Sequence, residues 1–72
     1  MKHEDELLLT AIEDAIRGGL KSRADLAMSA GLTIPRFNRI ASAGVAAGRL
    51  RILAERDRFK GLQFELGAPV VG

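Results

Sequence analysis

The hydrophobic period changes once along this chain, and the change fixes the order of its elements. As far as Gly48 the apolar residues recur at intervals of three and four, the repeat of a helix with one buried face. From Leu50 they alternate instead: Leu50, Ile52 and Ala54 against Arg49, Arg51 and Glu55, then Leu62, Phe64 and Leu66 against Gln63 and Glu65. Alternation on both sides of a polar connection is the pattern of a β-hairpin, here over about 50–56 and 61–66. The connection, Arg56 to Gly61, carries three bases and a turn glycine. A lone hairpin is marginal in water, so Ile52, Leu62, Phe64 and Leu66 are expected to pack on the helices. Phe59, near the tip, either folds back or stands exposed, and partial burial is expected.

Three helices are expected before the hairpin. The first, about 4–17, places Leu8, Ile12, Ala15 and Ile16 on one stripe, widened by Leu9. Its acids Glu4, Asp5 and Glu6 sit where the helix dipole favours negative charge, and with Glu13 and Asp14 they read as a solvated face. Gly18-Gly19 stops it. The second, about 23–30, opens on Ser22 as N-cap, with Asp25 three residues on in the reciprocal capping position. It turns Leu26, Ala27 and Ala30 inward and ends at Gly31. The third, about 34–48, has Thr33 as N-cap and Pro35 in its first turn. Phe37, Ile40, Ala41, Gly44 and Val45 share its inner face. Gly44 costs roughly 1 kcal/mol against Ala in a helix interior, which a close crossing would explain.

A chain of 72 residues is one small domain (residues 1–72), and a domain this short buries only about 60% of its unfolded surface. It has no cysteine, hence neither disulfides nor thiolate chemistry. No run approaches the roughly 20 apolar residues of a membrane span. The polar, acidic start is unlike a secretory signal. A soluble, cytoplasmic protein is expected, with residues 67–72 as a fraying tail. The charge is divided unevenly. Residues 1–16 hold one Lys and five acids, or −4, residues 17–60 hold ten bases and three acids, or +7, and residues 61–72 hold one acid. An acidic start on a basic body suits a polyanionic partner met on one side, although basic surfaces also occur simply as solvated faces.

Two helices joined by Gly31-Leu32-Thr33 form a tight turn, which sets the third at a steep angle to the second. With Phe37 four positions after Thr33, Arg39 two further on, Gly48 closing the helix and Leu50 opening a strand, residues 7–66 resemble the winged helix-turn-helix domains of bacterial transcriptional regulators. The chain departs from that family in having Gly44 where a large Leu is usual, within a small-residue run from Ala41 to Gly48. The resemblance implies a mainly α fold with a small two-stranded antiparallel wing. It also implies sequence-specific binding of double-stranded DNA, the third helix in the major groove and the wing on the backbone or in the minor groove.

The recognition-helix residues are then Thr33, Pro35, Arg36, Asn38, Arg39 and Ser42. Arg bonds guanine bidentately, Asn bonds adenine, and the helix start suits a phosphate. Backbone and wing contacts fall to Lys21, Ser22, Arg23, Arg49, Arg51, Arg56, Arg58 and Lys60, adding affinity and salt dependence. A homodimer on a pseudo-palindrome is expected, with the first helix and Pro69-Val70-Val71 as candidate dimer surfaces. No cofactor, metal or small-molecule ligand is expected: His3 is the lone histidine, and no nucleophile–base set can be built. An enzyme is not expected.

The main alternative is a winged-helix adaptor or inhibitor that binds protein, because fold does not fix function. Ion pairing of Arg36 and Arg39 to Asp25 or Glu55, or their burial in a dimer, would favour it. A non-specific architectural binder is a third option, against which the modest charge of +2 argues.

Overall fold

Glu4, Asp5 and Glu6 open α1 (His3–Arg17), where their charge suits the helix N-terminus. The computed structural model describes residues 2–67. Two further helices follow, α2 (Arg23–Ala30) and α3 (Ile34–Ala46), then antiparallel strands β1 (Leu50–Asp57) and β2 (Gly61–Leu66). This is the winged helix-turn-helix layout, mainly helical with a small sheet.

The turn between α2 and α3 is tight because Gly31 takes the left-handed conformation, φ 69°, which a side chain would strain. The N–H of Leu32 then bonds back to the Ala27 carbonyl at 2.8 Å. Thr33 stands at the N-cap of α3 without a side-chain capping bond. Ser22 does cap α2, its Oγ accepting from the Asp25 N–H at 3.3 Å. The Asp25 carboxylate does not return the cap as expected; it pairs with Lys60 instead. Helix α3 stops at Ala46, two residues short of expectation, because Gly48 at φ 76° turns the chain into β1.

Leu9 and Ile12 of α1, Leu26 and Ala27 of α2, Phe37, Ile40 and Ala41 of α3, and Leu50 and Phe64 of the hairpin form one core. The stripe of α1 is centred on Leu9 and Ile12; Leu8, Ala15 and Ile16 pack at its edge. Phe37 meets Phe64 edge to face, ring centroids 5.5 Å apart, and so ties the hairpin to α3. Gly44 has the close crossing its position called for. A Cβ there would lie 2.8 Å from Leu9 Cδ1 and 3.0 Å from Leu50 Cδ1.

The hairpin departs from simple alternation. Ile52 faces Phe64, yet the next pair is Arg56 with Leu62, so β1 advances four residues while β2 advances two. Such a bulge bends its strand and breaks the inside–outside rhythm. Ile52, expected in the core, lies before the bulge on the same face as Phe64, but it lines the open groove beside α3 and is 47% exposed. The other edge of β2 gains a partner that alternation did not reveal. Ser22 bridges Gln63, and the Phe64 N–H bonds to the Lys21 carbonyl at 2.7 Å. Gly67, expected to fray, donates to the Arg49 carbonyl at 2.8 Å. The rest of the expected tail, 68–72, and with it Pro69-Val70-Val71, lies outside the described residues. Among the described residues no helix is long and apolar enough to cross a membrane.

Candidate nucleic-acid interface

Burying Phe37, Ile40, Ala41 and Gly44 leaves the opposite face of α3 outside. Thr33, Pro35, Arg36, Asn38, Arg39 and Ser42 are all exposed. A turn of 100° per residue divides this face into two flanks. Thr33, Pro35, Arg36 and Arg39 line a shallow concavity. Asn38 and Ser42 turn toward the hairpin and line a second groove of about 390 Å³ with Arg23, Ala41, Val45, Ala46, Ile52, Leu62 and Phe64.

The acids of α1 reach the first flank. Arg36 Nη2 lies 2.9 Å from Glu4 Oε1, and Arg39 Nη2 lies 3.7 Å from Asp5 Oδ1. The partners are Glu4 and Asp5, not the Asp25 or Glu55 considered from sequence. Both arginines stay open to solvent, their side chains 42% and 66% exposed. Exposed pairs of this kind contribute about 0–1 kcal/mol each, so a phosphate or a guanine edge can displace the carboxylate cheaply.

Two residues placed at the interface by sequence have structural work. Arg49 follows α3 and turns back onto α1, where Glu6 and Glu13 hold its guanidinium and Thr10 Oγ1 accepts at 3.4 Å. Glu6, Thr10 and Glu13 stand at i, i+4 and i+7, one line along the helix. The two carboxylates, Glu13 foremost, push the Arg49 pKa further up. Glu6 and Glu13 are thus ligands of a cation, not merely a solvated face. That spacing beside the apolar stripe was a signal in the sequence. Ser22 is buried and its hydroxyl is spent on the α2 cap.

The hairpin separates its charges. Arg51 pairs with Glu65, its directly opposite neighbour across the strands. Lys60 Nζ lies 3.0 Å from Asp25 Oδ2 and latches the hairpin to α2. This bond raises the Lys60 pKa, and with the Ser22 cap it lowers that of Asp25. Lys21, Arg23, Arg56 and Arg58 have no carboxylate within ion-pair distance among the described residues. Ser22 bridges Gln63 while Arg56 faces Leu62, which sets the backbone at the start of α2 beside the tip half of the hairpin. The Arg23 guanidinium lies over Gly61, where a Cβ would come 2.8 Å from its Nη2.

Comparisons with protein families, characterised proteins and solved structures return no match.

At the tip, Asp57 Oδ1 accepts from the N–H groups of Phe59 and Lys60, both at 2.8 Å. That closes the turn and leaves Phe59 91% exposed, against the expectation of partial burial. Among the described residues, no three of His, Cys, Asp and Glu are placed to hold a metal.

Proposed function

We propose that this chain binds double-stranded DNA sequence-specifically and regulates transcription by occupying its site. Helix α3 enters the major groove and the hairpin follows the backbone or minor groove. The observation that carries the reading is the groove shared by Asn38 and Ser42 of α3, the unpaired Arg23 and the hairpin. It places a polar helix edge beside the part of the surface where positive charge is unspent. A homodimer on a pseudo-palindromic site suits the reading, and exposed Leu7 on α1 is a candidate contact.

Pairing sets the electrostatics. If Lys21, Arg23, Arg56 and Arg58 alone meet phosphates, log K falls with log salt at a slope of about −3.6; if Arg36 and Arg39 join as phosphate contacts, about −5.4. Selection of sites from random duplex DNA is the test, repeated with Arg36→Ala and Arg39→Ala. An enriched motif that either change weakens or relaxes is expected. Glu4→Gln with Asp5→Asn should strengthen binding at low salt, by up to about fivefold for each pair released. Absence of a motif, with no binding at low salt, removes the proposal.

A protein-binding module is the second reading, and two observations favour it. The arginines of α3 are already paired, and the groove beside them is floored by Ala41, Val45, Leu62 and half-exposed Ile52. In that case α3 substitutions leave DNA untouched and abolish a protein complex.

A further inference from the structure

The hairpin tip presents an apolar ring that nothing in the fold uses. Phe59 is 91% exposed, more than the other exposed large apolar side chains. Its backbone is fixed, since its own N–H and that of Lys60 both bond to Asp57 Oδ1. Its immediate sequence neighbours are the cations Arg58 and Lys60, with Arg56 beyond, against Asp57, whose Oδ1 is held by the turn, and Glu55. Of the cations, Arg56 and Arg58 have no carboxylate partner among the described residues. The Lys60–Asp25 bond anchors the turn to α2.

With the turn already fixed, binding has to order only the two side-chain torsions of the ring and not its backbone. Its immediate charge neighbours select a polyanion over an apolar protein pocket, where unpaired guanidinium groups would have to be desolvated. Within a duplex, the apolar surface open to such a ring is the face of a base pair, exposed when a step is partly unstacked. Proteins that insert Phe, Leu or Met between base steps from the minor groove kink the duplex toward the major groove. A narrow minor groove also attracts arginine.

We infer that Phe59 is a wedge, inserted between base steps from the minor groove of duplex DNA while Arg56 and Arg58 hold the flanking backbone. This rests on the DNA-binding reading and adds to it a deformation of the DNA. Flexible pyrimidine–purine steps are the preferred point of entry, because they unstack at least cost. Specificity would then come partly from positions at which no base edge is contacted.

The test uses the full chain and an A·T-rich duplex of about 30 base pairs carrying a central TA step, dye-labelled at both ends. Energy transfer reports bending, and 2-aminopurine at the central step reports unstacking. The wild type is expected to raise both signals. Phe59→Ala should lose both and bind about tenfold more weakly, the scale of one lost base–aromatic contact, with an unchanged melting temperature and salt slope. Phe59→Leu should keep part of the bend. If Phe59→Ala binds and bends the duplex as the wild type does, the wedge is wrong and the DNA reading stands. If it instead dissolves a dimer in sedimentation without altering DNA binding, the ring is a protein contact. Tighter, Phe59-dependent binding of the single strand overturns the wedge in favour of stacking. Failure of the wild type to bind any duplex at low salt removes both inferences together.

Discussion

Replacing Arg49 by Met tests the link between α1 and the start of the hairpin. The guanidinium spans Glu6 and Glu13, and the two partners do not count equally. Glu6 is well exposed, so losing its pair costs under about 0.5 kcal/mol. The Glu13 side chain is only 14% exposed, and removing its partner leaves a largely desolvated charge. A fully buried pair broken this way costs about 3–5 kcal/mol; partial access to water reduces that to about 2 kcal/mol. A domain of this length has roughly 4–11 kcal/mol in all, so the loss is large. It should lower the melting temperature by about 8–16 °C. Urea unfolding of wild type, Arg49→Met, Glu13→Gln and the double variant measures the coupling. The double variant should recover about 1 kcal/mol or more over Arg49→Met, because no charge is then left unpaired. The folded fraction of Arg49→Met should bind DNA with the wild-type salt slope, since Arg49 is spent on α1. A stability change below about 0.5 kcal/mol, or strict additivity in the cycle, would refute the reasoning.

Two further outcomes follow from contacts elsewhere. Gly44→Leu brings a side chain into the space held by Leu9 and Leu50, the nearest atoms already 2.8–3.1 Å from a Cβ. Overpacking, at up to about 3 kcal/mol, should outweigh the gain of about 1 kcal/mol in helix propensity and leave a net loss of up to about 2 kcal/mol in chemical unfolding; an unchanged or raised stability would mean that α1 and β1 can move apart. The Asp25–Lys60 latch has a pH signature. The lowered Asp25 pKa means a contribution present above the ordinary aspartate value and lost as acid titrates the folded carboxylate. The raised Lys60 pKa means a contribution present at neutral pH and lost as alkali titrates the folded amine. Melting temperature against pH should therefore fall off less steeply at both ends in Asp25→Asn, and identical limbs would show that the latch carries no stability.

The fold was legible where one period ruled one element. The face of Phe37, Ile40, Ala41 and Gly44, the Gly31 turn and the change of period after Gly48 are local signals, and each predicts a contact the structure contains. The hairpin was legible as a hairpin but not in its register. The sequence between Ile52 and Arg56 alternates acceptably in two ways, and packing of Phe64 against Phe37 decides which side of the bulge is buried. The edge pairing of Ser22 with Gln63 depends on where a loop lies, and no period encodes that. Phe59 illustrates the same limit: hydrophobicity argued for burial, and the Asp57 turn overrode it.

Charge was the least legible property, for a physical reason. Segregating acids at the start and bases in the body resembles an electrostatic footprint for a polyanion. The fold spends much of that asymmetry on itself. Glu4, Asp5, Glu6 and Glu13 of α1 meet Arg36, Arg39 and Arg49, so the acidic helix already occupies a place a phosphate would take. A count of bases along a small chain therefore overstates what a partner meets. The useful quantity is the charge left after folding, and here Lys21, Arg23, Arg56 and Arg58 remain without an ion pair among the described residues, offset in part by Glu55 and Asp57, which flank Arg56 and are not ion-paired either. DNA association should accordingly begin at the hairpin and the start of α2, where no carboxylate must leave. On the proposed DNA-binding reading, docking of α3 should follow as Arg36 and Arg39 exchange partners. Neutralising Arg56 and Arg58 should then slow association steeply at low salt, whereas Arg36→Ala and Arg39→Ala should act mainly on dissociation. Equal effects of both pairs on the association rate would mean that α3 meets the DNA first.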